Sequence, residues 1–207
     1  MKSKLFAPSM FFSLALICAF TISHSFAIEP TIENAVLNGN WEVIVNALEK
    51  YDTAANNPSA ILIKGYACLV INDYQGATRC FLQLSSPAHI SKLFDYTGEL
   101  ARKNPTNAVA QTLKGDALAR NGKYNESLSA LDEAMRLDPQ SALLYDVRGV
   151  VKALADKSDE ASADFEKAIE LNPKFADPLA NLGILRLADE DFIGAMEYLN
   201  QAIELCQ

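Results

Sequence analysis

The sequence has few of the residues that build metal sites and catalytic centres. Of 207 residues, two are histidine and four are cysteine. There is no Cys-x-x-Cys pair, no glycine-rich phosphate loop, and no Gly-x-Ser-x-Gly or His-Glu-x-x-His motif. Acidic pairs such as Asp159-Glu160 fall where a helix is expected to begin, and a carboxylate there stabilises the helix N-terminus. The sequence therefore predicts no metal site, no cofactor and no enzymatic activity.

Basic residues are also in the minority. Lysine and arginine together number 18, against 26 aspartates and glutamates, which gives a formal net charge of −8. Nucleic acids and anionic membrane surfaces bind clustered positive charge, so this balance disfavours both as partners. Half of the residues are hydrophobic and 21% are charged, a composition typical of a folded chain.

One long apolar run occurs, from Met10 to Ile22. Lys2 and Lys4 precede it, and Ser25-Phe26-Ala27 follows with small residues at the two positions that determine cleavage. This pattern is typical of a secretory signal peptide, here residues 1–27, cleaved after Ala27. The alternative is an uncleaved membrane anchor, but the run is shorter than the roughly 20 residues that a spanning helix needs. We expect an exported protein, periplasmic or secreted.

Cleavage leaves three cysteines, an odd number for an oxidising compartment. Cys68 and Cys80 fall on the two helices of one predicted hairpin, and their expected role is that of small buried apolar residues. Cys206, next to the last residue, is expected to be accessible.

The second half of the chain repeats itself every 34 residues. Gly115, Gly149 and Gly183 share this spacing. The same spacing relates Ala134, Ala168 and Ala202, and it relates Leu137-Asp138-Pro139 to Leu171-Asn172-Pro173. A period of this length is typical of a solenoid built from helical hairpins.

Each unit is predicted to contain two helices. In residues 108–141 the apolar positions of the first half end at Asn121-Gly122, where glycine permits the left-handed turn that closes a helix. The second half carries an apolar stripe that ends at Asp138-Pro139. Gly115 lies within a helix, where glycine costs roughly 1 kcal/mol relative to alanine. Its recurrence predicts a close approach between the two helices.

These units resemble tetratricopeptide repeats. The family positions hold Gly115, Leu118, Tyr124, Ser127, Leu131, Ala134 and Pro139 in the first unit. They hold Tyr145, Gly149, Ala161, Phe165, Ala168 and Pro173 in the second, and Leu179, Leu182-Gly183, Phe192, Ala195, Leu199 and Ala202 in the third. Ser127 replaces the usual alanine, and Ser158 replaces an aromatic residue. The resemblance implies an all-α, right-handed α-solenoid of antiparallel helix hairpins, with three tandem repeats at 108–141, 142–175 and 176–207.

The first half, residues 28–107, is predicted to be a degenerate version of the same architecture. A truncated unit turns at Gly39-Asn40-Trp41, and a better repeat covers residues 58–91. Gly65 and Gly115 are 50 residues apart, which is one 34-residue unit and 16 more. The surplus predicts an additional helix at about residues 88–103.

The resemblance also implies a concave wall, formed by the first helices of successive hairpins, that receives a peptide. The predicted partner-binding residues are Thr112, Asp116, Arg120, Leu143, Asp146, Val150, Asp177, Ala180 and Ile184. One subset of the family binds a terminal carboxylate with basic and amide residues. The corresponding positions here hold Thr112, Asp116, Val147, Asp177 and Asn181, so we expect that mode to be absent. A ligand would offer apolar side chains and a lysine or arginine.

Two functions are consistent with this sequence. The first is an exported scaffold or adaptor that binds a partner polypeptide in the groove, in envelope assembly or secretion. The alternative is a structural subunit of an envelope complex that associates through its uncapped ends, where Met196, Leu199 and Ile203 lack a covering helix. That alternative includes self-association through the C-terminal helix.

Overall fold

The computed structural model describes residues 30–50, 57–71, 73–84 and 87–206. The predicted signal peptide lies outside these ranges. The described residues form helices and turns, with no strand, and none of their helices is both long and apolar enough to cross a membrane. The helices are α1 (Pro30–Leu37), α2 (Trp41–Lys50), α3 (Pro58–Val70), α4 (Tyr74–Gln83), α5 (Pro87–Lys103), α6 (Ala108–Arg120), α7 (Tyr124–Leu137), α8 (Ala142–Leu154), α9 (Ser158–Leu171), α10 (Ala176–Ala188) and α11 (Phe192–Leu205).

The helices pair in chain order. Helix α3 packs on α4, α6 on α7, α8 on α9, and α10 on α11, each pair being joined by a short turn. The hairpins then stack, because α7 also packs on α8 and α9 on α10. The predicted all-α solenoid of helix hairpins is therefore confirmed.

The recurring glycines make room for a large side chain of the partner helix. A Cβ atom built at Gly149 would lie 2.6 Å from Cε1 of Phe165. At Gly115 and Gly183 the nearest side-chain atom would lie 2.7 Å away. Carbon atoms attract best at about 3.5–4.0 Å, so a methyl group has no room at these positions. Ser127, which replaces the alanine usual in the family, links the two helices, because its buried hydroxyl donates a hydrogen bond to the Gly115 carbonyl at 2.7 Å.

The turns inside the last three hairpins, α6–α7, α8–α9 and α10–α11, each contain one residue in the left-handed region. This residue is Gly122, with φ of 73°, in the first of the three repeats, and Asp156 and Glu190 occupy the same place in the next two with φ of 58° and 60°. Each turn closes in the same way, for example through the Lys123 amide, which donates to the Leu118 carbonyl at 2.9 Å. The period therefore governs the turns as well as the helices.

A continuous apolar core joins the two halves of the chain. The largest cluster of buried side chains extends from α1 through α8 and includes Phe175. Helix α5 packs on α3 and α6, with Leu93 and Leu100 buried. The Asn107 amide nitrogen donates to the Leu37 carbonyl at 2.8 Å. These contacts tie the irregular first half to the regular repeats.

A cluster of ion pairs links α8 to α9. The Arg148 guanidinium makes two hydrogen bonds with Asp164, from Nε at 2.8 Å and from Nη2 at 2.6 Å. Lys152 Nζ lies 2.8 Å from the same carboxylate. Arg148 also donates to Asp132 on α7 at 2.9 Å. The pairing is bidentate, and the Asp164 side chain is only 6% exposed. Bidentate arginine–carboxylate hydrogen bonds are among the strongest in proteins.

The cysteines lie as expected. Cys68 and Cys80 are buried and Cys206 is exposed, and all three are free thiols. Burial, followed by the charge of Asp73, raises the pKa of Cys68 to about 12, so this thiol stays protonated at neutral pH.

Candidate functional site

A pocket of about 400 Å³ opens on the first helices of successive hairpins. Helices α3, α6, α8 and α10 all contribute to it, because the stacking of hairpins brings their equivalent surfaces side by side. We call it the groove pocket. Its lining residues are Tyr66, Phe81, Asp116, Ala119, Arg120, Asp146, Val147, Val150, Val151, Leu154, Asp177, Ala180 and Asn181.

The structure brings most of the predicted partner-binding residues together here. Six of the nine line the groove pocket: Asp116, Arg120, Asp146, Val150, Asp177 and Ala180. Thr112 and Leu143 instead line a second cavity of about 390 Å³ beside Trp41 and Phe175. Ile184 lines neither cavity and is 57% exposed.

The Thr112 hydroxyl is already occupied. Thr112 is buried, and its Oγ1 donates to the Ala108 carbonyl within the same helix at 2.8 Å. Its side chain therefore has no free donor to offer a ligand.

On one side of the groove pocket, two lining residues form an ion pair with each other. Arg120 Nε donates to Asp116 Oδ2 at 2.6 Å, and the guanidinium lies over the Phe81 ring, 5.2 Å from its centroid. Burial, and then the charge of Asp116, raise the pKa of Tyr66 well above its ordinary value. Asp116 and Arg120 thus neutralise each other, and Tyr66 stays in its neutral form.

The other side holds two carboxyl groups that no basic side chain neutralises in the described residues. Asp146 is 4% exposed and accepts a hydrogen bond from the Asn181 amide at 2.9 Å. Burial, and then the charge of Asp177, raise the pKa of Asp146 to about 8. Burial raises the pKa of Asp177 to about 6. At neutral pH Asp146 is therefore mostly protonated, and Asp177 mostly charged.

The remainder of the wall is apolar. Val147, Val150 and Leu154 follow one another along α8, and Leu154 is 52% exposed. Phe81 was not expected among the lining residues, because it belongs to the second helix of its hairpin. Phe81 packs against Gly65, where an added Cβ atom would lie 2.6 Å from Cε1 of the ring. This pairing of a small with a large residue is the sequence signal that could have placed Phe81 beside the first helix.

The pocket has few groups suited to chemistry on a ligand. Within the part of the chain that the structure describes, no three histidine, cysteine, aspartate or glutamate side chains are grouped as a metal site requires. Among the carboxyl groups that line the pocket, Asp116 is paired with Arg120, and those of Asp146 and Asp177 have raised pKa values. What the arrangement offers is a concave surface that combines apolar contact with acidic hydrogen-bond acceptors.

Stacked helix hairpins place this chain among the helical-repeat proteins. Residues 96–142 and residues 144–175 each match a model described as tetratricopeptide repeat. These two segments of the chain are therefore built from tetratricopeptide repeats. Members of this family generally serve as scaffolds without catalytic activity, and the repeats support a role in protein–protein interaction.

Solved structures share the fold. "Crystal structure of MamA" has a TM-score of 0.50 and 20% sequence identity, covering 86% of this chain and 96% of that one. "MamA MSR-1 C2" has a TM-score of 0.50 and 18% identity, covering 84% of this chain and 92% of that one. None of the curated proteins compared with this chain matches it in sequence. The structural likeness extends the helical-repeat fold over most of the chain.

Proposed function

We propose that this protein is an exported scaffold that binds a partner polypeptide in its concave groove, in envelope assembly or secretion. The observation that carries the proposal is the groove pocket, to which the first helices of four hairpins contribute side chains. A site shared by several stacked units suits an extended or helical segment better than a small molecule. Its mixture of valine and leucine with carboxyl groups suits a protein surface.

Export is supported by the leader-like sequence at residues 1–27. The measurement is amino-terminal sequencing of the protein purified from its native cells, after separation of the envelope from the cytoplasm. We expect the mature chain to begin at Ile28 and to be found outside the cytoplasm. A chain that keeps Met1 and remains in the cytoplasm would contradict the proposal of export.

The groove is tested by filling it. Ala180 is half-buried at the pocket, so Ala180→Trp places an indole where a ligand would lie. Ala163→Trp is the matched control, because Ala163 is exposed on α9 and lines neither cavity. The mature variants are immobilised, and the proteins that they retain from the envelope fraction are quantified.

We expect Ala180→Trp to lose the retained partner, and Ala163→Trp to keep it at the wild-type level. If both variants retain equal amounts of the partner, the groove proposal is refuted. Far-UV circular dichroism and the unfolding midpoint verify that each variant is folded.

A second function is favoured by the exposed apolar side chains of the last hairpin. Of the three side chains predicted to be uncovered, Met196 and Ile203 are 59% and 56% exposed. Leu199 is instead half-buried, because it packs against Gly183. Phe192 and Ile193 are 67% and 72% exposed, and we call the four exposed side chains Phe192, Ile193, Met196 and Ile203 the end surface. Apolar side chains grouped in this way are typical of interaction sites. In this alternative the protein is a structural subunit that associates through the end surface with another subunit, or with a second copy of itself.

Substitution of Met196 by lysine separates the two functions. Gln201→Lys is the control, because it adds the same charge at an exposed position of the same helix. The alternative predicts that Met196→Lys alone abolishes association in light scattering and partner capture. The groove function predicts that both lysine variants behave as wild type.

A further inference from the structure

The charges that line the groove pocket do not balance. It presents three carboxyl groups, from Asp116, Asp146 and Asp177, and one basic side chain, from Arg120. Arg120 is committed to Asp116 at 2.6 Å. Asp146 is bonded to the neutral amide of Asn181. The pocket therefore retains acidic capacity for which its own lining supplies no cation.

The two basic residues that follow Asp146 on α8 are engaged elsewhere. Arg148 and Lys152 lie on α8 as Asp146 does, but they pair with acidic side chains of α7 and α9. The other titratable groups near the two carboxyls are Tyr66 of α3 and Cys206 at the end of α11. Neither of these carries a positive charge, and no ion pair to Asp146 or Asp177 is found among the side chains that the structure describes.

The apolar part of the lining adjoins these acids. Val147 and Val150 are on the same helix as Asp146, one and four residues further along, and Ala180 lies three residues after Asp177 on α10. An occupant that matches this surface has an aliphatic stem ending in a positive charge. Lysine and arginine have this form, and they bury the stem while the charged end seeks acidic or aqueous surroundings.

We propose that the groove pocket receives a lysine or arginine side chain of the bound polypeptide, with its stem on Val147 and Val150 and its cation between Asp146 and Asp177. This inference rests on the proposed groove function, and it names the partner chemistry that the groove selects. A bound cation stabilises the charged carboxylates of Asp146 and Asp177, which burial disfavours in the free protein. The groove therefore selects a basic residue and excludes an acidic one.

The protonation of Asp146 and Asp177 makes the affinity for a basic peptide depend on pH, which apolar packing alone would not do. Burial holds the pKa of Asp146 at about 8 and that of Asp177 at about 6 in the free protein. A bound cation favours the charged carboxylates, so binding releases protons. Affinity for a basic peptide therefore rises as pH increases from below the pKa of Asp177 to above that of Asp146, while the lysine or arginine stays charged.

The test uses peptides selected on the folded mature chain from a displayed library of random sequences. The selected peptides are synthesised with acetylated amino termini, so that side chains supply any cation, and their dissociation constants are measured by fluorescence anisotropy. Each is compared with a version in which the basic residue is replaced by norleucine, which keeps the stem and removes the charge.

The protein variants are Asp177→Asn and Asp146→Asn, which retain side-chain shape, and each serves if the other is unstable. Asp159→Asn is the matched control, because Asp159 lies in the first turn of α9 as Asp177 does in α10, but away from the pocket. We expect peptides enriched in lysine or arginine, and roughly tenfold weaker binding after norleucine replacement or after either pocket variant. Asp159→Asn should bind as wild type, and the pH dependence should vanish in the double pocket variant.

Two results overturn the inference in distinguishable ways. Peptides that are blocked by Ala180→Trp, yet carry no basic residue and bind the asparagine variants equally well, would refute the basic-residue proposal and leave the groove function intact. Selection that yields only peptides insensitive to Ala180→Trp would refute the groove function, and the inference with it.

Discussion

Replacement of Gly149 by alanine tests whether close helix approach is the reason for the 34-residue glycine period. The added methyl carbon would lie 2.6 Å from Cε1 and 2.8 Å from Cδ1 of Phe165. The ring is 1% exposed, so it has little space into which to move. The substitution therefore forces either the ring out of its preferred position or the two helices apart.

Two effects of opposite sign decide the magnitude. Alanine favours the helix over glycine by about 0.8–1.0 kcal/mol. Overpacking a well-filled core costs about 1–3 kcal/mol. We therefore expect Gly149→Ala to lower the free energy of unfolding by about 1 kcal/mol, measured by urea unfolding followed by far-UV circular dichroism.

Gly98→Ala is the matched control. Gly98 also lies inside a helix, but a Cβ atom there meets nothing within 4 Å. The helix preference then acts alone and raises the free energy of unfolding by about 0.5–1 kcal/mol. Equal stabilisation by Gly149→Ala and Gly98→Ala would refute the close-approach explanation.

Three further predictions concern the turns, the ion pairs and the acidic pocket. Asp156→Gly and Glu190→Gly should each raise the free energy of unfolding by about 0.5 kcal/mol in urea, since relief of a left-handed strain of about 1–2 kcal/mol exceeds the entropic cost of glycine of about 0.5–1 kcal/mol; loss of stability would contradict the turn assignment. Asp164→Ala should lower it by about 3 kcal/mol, because Arg148 keeps a partly buried charge without its main partner, and a loss below that of a surface substitution would be contrary evidence. The folded chain holds a proton on Asp146 that the unfolded chain releases near pH 4, so stability contributed by this group is lost as pH rises toward its pKa of about 8. Thermal melts over this range should therefore show Asp146→Asn gaining stability over wild type at the alkaline end, and a wild type that instead gains on it would contradict the assigned burial.

The periodic features were predictable from the sequence because they depend on contacts within one unit. Gly149 and Phe165 face each other inside one hairpin. The spacing of small and large residues within the repeat therefore predicts this contact. The left-handed residue of the turn was visible only at Gly122. Asp156 and Glu190 occupy the same place without the glycine that signals it, although their 34-residue spacing was available.

Features that depend on neighbouring units were harder to predict. The pocket position of Asp146 follows from helical spacing, but its burial and its bond to Asn181 come from the next hairpin. The pairing of Arg148 with Asp164 spans two helices at a separation of 16 residues, for which a one-helix pattern gives no signal. Which predicted residues a partner contacts stays a prediction.

The most direct test of the groove account is photo-crosslinking in the native cells. A photoreactive amino acid is placed at Ala180 in the groove pocket, at Met196 on the end surface, and at exposed Ala163 as the control. The account predicts a protein adduct from position 180 that is absent from position 163, and a linked segment that contains a lysine or arginine beside the attachment point. An adduct that forms from position 196, with none from position 180, would contradict it.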